Sequence, residues 1–216
     1  MAIRFALYLG VGLFLGMEAR EYARAYATVR IGDMAPKLYR RLSLDPKTWF
    51  DPFGSGLLPG LVLILFAASV SIAPPFAYGK PPAISPNSWR QYRRDTVTVS
   101  VAGPVANVLL AIPPAVAIRG GVSGEARLLL FAIMFSNVCL AVIHLLPVPG
   151  LDGGRMVELL LSGRAREVFH EGAQFLPLIA LAFFVFFGVI LRTAVFGLAN
   201  ALCHLLSGGD CVPFLS

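Results

Sequence analysis

Five long apolar runs divide this chain, and they constrain its fold more than any other feature of the sequence. The runs lie at about 2–30, 57–73, 96–118, 126–146 and 172–206. A transmembrane helix needs about 20 mostly apolar residues, so each run is near or above the length of one span. We therefore predict an all-α polytopic membrane protein with about five transmembrane helices, between about four and six.

The charge content of the chain supports this membrane assignment. Only 14% of the 216 residues are charged, whereas a soluble domain carries about 25% charged residues. The net charge of +6 fits Lys and Arg side chains in loops that meet anionic headgroups. No basic run is interleaved with aromatic residues, which argues against a nucleic-acid partner. We predict an integral, multi-pass protein of a prokaryotic cell membrane, with the lipid bilayer as a partner.

Two proline-rich segments connect the first three runs. Residues 34–56, MAPKLYRRLSLDPKTWFDPFGSG, combine three prolines with mixed charge. We predict a short interfacial or re-entrant segment there, either a loop or a strand pair on the membrane surface. Residues 74–95 carry Tyr78, Trp89 and Tyr92 among Lys and Arg, which is typical of an aromatic belt at the headgroup level.

The C-terminal block and the cysteines leave alternatives open. Arg192 divides the block at 172–206, which predicts either one span with an amphipathic tail or two short helices. Cys139 lies in an apolar run and is expected to be a small core residue. Cys203 and Cys211 show no metal-binding spacing, and their pairing in an oxidising compartment stays open.

Charged residues interrupt the first apolar run. Arg20 and Arg24 are four residues apart and project from one face of the predicted helix, with Glu21 beside them. This is the spacing of the H-E-x-x-H motif, in which two histidines bind zinc and the Glu acts on water. Here both histidine positions hold Arg. The three residues belong either to a buried polar site or to a solvated helix end from which the arginines reach water.

Motifs along the chain resemble, in order, those of the site-2 protease family of intramembrane zinc metalloproteases. REYARAYATVRIGD resembles its HEYAHA-type zinc helix, and YGKPPAISPNSWR and AGPVAN follow. HLLPVPGLDGGR, residues 144–155, stands where that family typically has NLLPIPPLDGGR. The resemblance covers about residues 15–165. It implies a single membrane domain over 1–216, with a family-like core at about 1–165 and extra hydrophobic helices at about 172–206.

The resemblance places the family's metal ligands on Arg20, Arg24 and Asp152. Its catalytic glutamate falls on Glu21. A guanidinium has no lone pair to donate and stays protonated in proteins, so Arg20 and Arg24 cannot ligate zinc. Two arginines nevertheless balance two carboxylates, as a divalent zinc ion would. We expect the arginine pair to replace the metal as an electrostatic link between the first helix and the LDGG segment, with no cofactor.

The implied function is that of a catalytically inactive site-2-protease-like protein, a pseudoprotease. It would act by binding the transmembrane helix of a client protein or a larger membrane complex. The residues expected to line its binding groove are Asn107, His144, Pro147 and Pro149.

Two alternatives stand beside this hypothesis. The first is an active intramembrane metalloprotease that cleaves transmembrane substrates through a rebuilt zinc site. Glu21 would then act as the base and Asp152 as a ligand. Separately, a weaker ligand set of Asp152, His144 and Glu21 would hold a hard or borderline cation. The second is a structural subunit that packs in a membrane assembly without a groove.

Overall fold

A computed structural model describes residues 2–68, 74–85, 91–186 and 188–208 of the chain. Within these ranges the regular structure is helical, and none of the residues is in a strand. The α-helices are α1 Ala2–Arg30, α2 Ala35–Leu38, α3 Leu58–Ala67, α4 Tyr92–Arg119, α5 Gly124–His144, α6 Asp152–Glu158, α7 Gly163–Gly172, α8 Leu176–Phe186 and α9 Gly188–Ser207.

Within the described part of the chain, three helices, α1, α4 and α5, are long and apolar enough to cross a membrane. Shorter apolar helices cover Pro52–Ala67 and Val195–Ser207. The predicted all-α polytopic membrane fold is confirmed. The first and last residues of α1 match the predicted run, and those of α4 and α5 differ from the predicted runs by a few residues. The end of the predicted run at 57–73 lies outside the described residues.

The fifth helix forms the centre of the packing. Every residue of α5 from 134 to 144 is buried, which agrees with its apolar character on all faces. Both α1 and α4 pack against it, and α1 also contacts α4 and α3. Cys139 is fully buried, as expected of a core residue.

Neutral polar residues join α1 to its neighbours near the middle of the bundle. The Ser136 hydroxyl donates to the carbonyl of Leu9 at 3.2 Å, and Asn137 Nδ2 donates to the carbonyl of Gly12 at 3.3 Å. Asn107 Nδ2 donates to the carbonyl of Gly16 at 3.2 Å and to Asn137 Oδ1 at 3.0 Å. We call Asn107, Ser136 and Asn137 the amide cluster.

Glycines on α1 allow this close approach. A Cβ at Gly12 would lie 2.8 Å from Ser136 Oγ, and one at Gly16 would lie 2.6 Å from Asn137 Oδ1. Small residues at helix interfaces are a general device for bringing transmembrane helices together. The amide cluster therefore reaches the backbone of α1, since Gly12 and Gly16 carry no side chains that would block it.

The segment at 34–56 forms short helical turns, so the strand alternative for it was wrong. After α2, a 3₁₀ turn covers Pro46–Thr48 and a π turn covers Pro52–Leu57. A proline stands near the start of each turn, where its missing N–H costs nothing. The side chains of Asp45 and Asp51 accept from the first free backbone N–H groups of these turns.

The aromatic belt expected at 74–95 has a different arrangement. Tyr78 is buried against Gly54, where a Cβ would lie 2.4 Å from the ring. Burial, with the nearby Asp51 carboxylate, raises the pKa of Tyr78 to about 12. Tyr92 is partly exposed, at 36% of its surface, and Trp89 lies outside the described residues.

The described part of the C-terminal block is helical. The helices α8 and α9 flank residue 187, which lies outside the described residues, and Arg192 lies within α9. Cys203 is buried on α9. Its predicted pairing partner, Cys211, lies outside the described residues.

Candidate functional site

The four charged residues singled out in the sequence come together in a buried site. Arg20, Glu21 and Arg24 lie in the second half of α1, and Asp152 is the first residue of α6. Their exposed fractions are 2%, 8%, 5% and 1%. We call these four residues the charged cluster. The alternative of a solvated helix end was wrong, because both arginines are covered by neighbouring helices.

Each arginine of the charged cluster contacts both carboxylates. Arg20 Nη2 donates to Asp152 Oδ2 at 2.6 Å, and Arg24 Nη1 donates to Glu21 Oε1 at 3.1 Å. Two longer ion pairs close the ring, from Arg24 Nε to Asp152 Oδ1 at 3.4 Å and from Arg20 Nε to Glu21 Oε1 at 3.5 Å. Two positive and two negative groups therefore balance within this buried site.

The local sequence explains why Asp152 reaches α1. The chain turns sharply after α5, with Gly150 at a φ of 87°, and α6 begins directly after Leu151. A Cβ at Gly153 would lie 2.1 Å from the Leu145 carbonyl oxygen, and one at Gly154 would lie 2.0 Å from the Val148 carbonyl oxygen. The two glycines thus let α6 fold back against the end of α5, which carries Asp152 into the bundle.

Gly103 of α4 makes room for the arginine side chains. A Cβ at this position would lie 3.1 Å from Arg20 Cγ, from Arg20 Nη1 and from Arg24 Cδ. The glycine of the AGPVAN motif therefore faces the two aliphatic stems directly. In the charged cluster α1 and α6 supply the side chains. The absence of a side chain at Gly103 of α4 leaves room for the two arginines.

Several buried polar atoms around the charged cluster have no hydrogen-bond partner within the described residues. They include Arg20 Nε, Arg20 Nη1, Arg24 Nε and Asp152 Oδ1. His144 lies nearby, with Nδ1 at 2.9 Å from the Leu140 carbonyl and Nε2 unpaired. Because Nδ1 must donate to that carbonyl, Nε2 carries the free lone pair. The cluster thus holds more polar groups than its own bonds satisfy.

These residues do not fit a zinc ion. A zinc site needs at least three nitrogen, sulfur or oxygen ligands, and a guanidinium supplies none. Across the described ranges no group of three or more His, Cys, Asp or Glu is placed to hold a metal. The weaker set of Asp152, His144 and Glu21 is therefore not assembled, since the arginines lie on both of its carboxylates.

The residues expected to line a groove differ in their accessibility. Asn107 is fully buried and His144 is 1% exposed. Pro147 is exposed and Pro149 is partly buried, on the turn that leads into α6. The groove stays a prediction. Of the four residues expected to line it, the two prolines are the accessible ones.

Two residues near the site, Asn137 and Arg155, were not predicted from the sequence. Asn137 was not singled out, although it bonds Asn107 and the α1 backbone. An Asn within an otherwise apolar run was a usable signal, because such residues hydrogen-bond across helices. Arg155 was also missed; it lies three residues after Asp152 and lines a separate cavity.

Comparisons with known proteins point to one family. The family model described as peptidase family M50 matches residues 122–187, which include α5 and Asp152. The chain is 30% identical over 188 residues to the "Putative zinc metalloprotease YwhC" of Bacillus subtilis, covering 82% of this chain and 80% of that protein. It is 28% identical over 190 residues to the "Putative zinc metalloprotease Rip2" of Mycobacterium tuberculosis, covering 83% and 70%. No solved structure matches the chain.

Proposed function

This chain belongs to peptidase family M50, the site-2 protease family, and from that membership we propose that it is a pseudoprotease that binds membrane proteins without cutting them. The observation that carries the proposal is the charged cluster. Arg20 and Arg24 stand at the two histidine positions of the H-E-x-x-H spacing, and their guanidinium groups hold the two carboxylates of the site.

Hydrolysis by this family's chemistry depends on a zinc ion that activates a water molecule and polarises a carbonyl. The arginines match the charge of such an ion but offer no coordination position for water. Glu21 has the position of the general base, yet its Oε1 already accepts from Arg24 and contacts Arg20. A carboxylate held in this way is poorly placed to take a proton from water.

The same contacts support a structural role for the arginines. Ionisable groups at membrane depth usually pair with one another inside the bundle. The Arg20–Asp152 contact joins residues 132 positions apart, so it links α1 directly to α6. We propose that this link holds the fold together at the position where the zinc enzymes use a metal.

The proposed ligand is a transmembrane helix of a client protein or of a larger membrane complex. The proposal follows the family's substrate class, since a fold that receives transmembrane helices for cleavage could also hold them uncut. Pro147 and Pro149 would provide the first contact, because they are the accessible members of the expected groove. Asn107 and His144 would be reached only if the helices around them separated.

Elemental analysis tests the loss of metal. We expect protein purified from membranes without chelator to contain no stoichiometric zinc. Changing Arg20 and Arg24 together to His restores the H-E-x-x-H ligands beside Asp152, and this variant should bind zinc if the surrounding pocket is intact. The matched control is the double change to Gln, which also removes both charges but supplies no imidazole ligands.

The outcomes separate the candidate functions. Stoichiometric zinc in the wild-type protein would overturn the proposal and support the active metalloprotease with a rebuilt site. Zinc-free protein that recovers intact single-span proteins from native membranes supports the pseudoprotease. Zinc-free protein recovered in a fixed stoichiometric assembly, unchanged by substitutions at Pro147 and Pro149, would indicate a structural subunit.

A further inference from the structure

A second polar feature lies apart from the charged cluster. A cavity of about 110 Å³ lies between α4, α6 and α7, with the 81–85 segment at its edge. A water molecule occupies about 30 Å³ in the liquid, so the cavity has room for roughly four waters or one small oxyanion. Its polar lining residues are Tyr92, Thr96, Ser100, Arg155, Glu158 and His170.

Ser100 has an unsatisfied hydroxyl at this cavity. The residue is 1% exposed, and its Oγ has no hydrogen-bond partner among the described residues. Hydroxyls within helices usually donate to the carbonyl four residues earlier. Thr96 and Thr98 on the same helix do so, at 2.7 Å and 2.9 Å. Because leaving a buried hydroxyl unpaired costs free energy, the exception at Ser100 points to a ligand in the cavity.

Arg155 supplies a positive charge to the same cavity. Within the described part of the chain its side chain forms no ion pair or hydrogen bond, unlike Arg20 and Arg24. Burial and the nearby Arg24 lower the pKa of Arg155 to about 10, so the guanidinium stays charged at neutral pH. A planar guanidinium binds the oxygens of a phosphate in pairs, which a lysine cannot do.

The cavity also has one acidic lining residue, and a second arginine lies close to it. Glu158 is the acidic residue of the lining, and its Oε2 lies 3.3 Å from Nδ1 of His170. At the other side, Arg166 donates to the Tyr92 hydroxyl at 2.9 Å and lies over the Tyr92 ring. A second guanidinium thus lies beside a lining residue of the cavity, and one carboxylate does not suffice for a divalent cation.

We propose that this cavity binds a phosphate group, with the Arg155 guanidinium and the Ser100 hydroxyl as its hydrogen-bond donors. The cavity lies along the first three turns of α4, a candidate membrane span, and therefore near one end of that span. The phosphate could thus come from an anionic lipid headgroup or from a soluble phosphate. The inference does not depend on whether the charged cluster binds zinc.

Thermal unfolding of the purified full-length protein in a neutral detergent tests the proposal. The probes are inorganic phosphate, a short-chain phosphatidylglycerol, and a neutral short-chain diacylglycerol as the control without phosphate. Either phosphate-bearing probe should raise the melting temperature in a saturable manner, because binding to the folded state stabilises it. A shift with both probes indicates phosphate in general, and a shift with the lipid alone indicates a headgroup site.

Two substitutions connect the shift to the cavity. Arg155→Gln should weaken the binding of the effective probe by about tenfold to a hundredfold, the loss expected for hydrogen bonds to a charged group. Ser100→Ala should weaken binding by about threefold to tenfold. It should not lower the ligand-free melting temperature, because the hydroxyl makes no bond within the described protein and its burial without a partner costs free energy. Arg164→Gln, on the exposed face of α7, is the control for loss of one positive charge.

The proposal is overturned by three results. One is that no phosphate-bearing probe raises the melting temperature. Another is that the diacylglycerol control raises it equally. The third is that Ser100→Ala binds as tightly as the wild type, a result that remains decisive even if Arg155→Gln does not fold.

Discussion

The charged cluster and the amide cluster lie on the same face of α1, yet they join the helices in opposite ways. At the amide cluster α1 offers only backbone carbonyls, and the side chains come from α4 and α5. At the charged cluster α1 supplies three charged side chains, and Gly103 of α4 has no side chain that would collide with the arginines. Glycine is thus on α1 at one joint and on the partner helix at the other.

The two clusters also differ in how completely their polar atoms are bonded. In the amide cluster the unpaired buried atom is Asn107 Oδ1, whereas both arginines and Asp152 of the charged cluster leave atoms without hydrogen bonds. An unpaired neutral amide oxygen costs free energy, but less than an unpaired buried charge, which depends on its partners. We therefore interpret the amide cluster as a completed packing contact. The charged cluster, by contrast, is a balanced charge network whose members cannot be removed singly.

The largest effect is expected from Asp152→Ala. It leaves Arg20 and Arg24 facing a single carboxylate, and removing one partner of a buried ion pair costs about 3–5 kcal/mol. The melting temperature in detergent should fall strongly, with no metal added or removed. Glu167→Ala on the exposed face of α7 is the matched control for loss of one carboxylate. An unchanged melting temperature for the Asp152 variant would show that the charged cluster contributes nothing to stability.

A smaller effect is expected from adding a methyl group at the glycine of each joint. Gly16→Ala places a Cβ 2.6 Å from Asn137 Oδ1 and 2.7 Å from Leu140 Cδ1, in the tightly packed interior. Overpacking of this kind costs about 1–3 kcal/mol. Gly103→Ala meets arginine stems at 3.1 Å, which can shift by a few tenths of an ångström.

Gly16→Ala should therefore lower the melting temperature more than Gly103→Ala. The reverse order would mean that the arginine stems are held more rigidly than the amide cluster, contrary to our comparison.

The smallest effect is expected from Asn137→Ala. Interhelical polar contacts in membranes contribute about 0.6 kcal/mol on average and up to about 1.7 kcal/mol. This variant removes the bonds to Asn107 and to the Gly12 carbonyl, so the melting temperature should fall by much less than for Asp152→Ala. Ser136→Ala, which removes one bond to the same helix, provides the control. A fall in melting temperature as large as that of Asp152→Ala would mean that the amide cluster stabilises the fold as much as the charged cluster does.

Much of the fold could be predicted from the sequence because membrane spans depend on local composition. Among the described residues three helices have apolar runs near 20 residues, and α1 ends at Arg30, where the predicted run at 2–30 ends. The segment at 34–56 was harder, since proline, Asp and mixed charge suit both loops and irregular turns. Side-chain caps at Asp45 and Asp51 favour the helical turns there.

The charged cluster was predictable for a different reason. The resemblance to the site-2 protease family placed Asp152 with the three charged residues of the first helix. Their charges then balance, as the burial of charges requires. What sequence could not provide was the set of neighbours that depends on packing. Asn137 meets Asn107 across 30 residues, and Tyr78 is covered because Gly54 lies over its ring. Such contacts follow from how the helices are placed and not from any local pattern.

A double-mutant cycle on Arg20 and Asp152 tests most directly whether guanidinium–carboxylate pairs hold this site together. The variants are Arg20→Met, Asp152→Ala and the two combined, each compared with the wild type by thermal unfolding in detergent. The combined variant leaves Arg24 with Glu21, a neutral pair, so it should lose less stability than Asp152→Ala alone. Losses that simply add would show that the two residues do not interact, and the account of a charge network in place of the metal would be wrong.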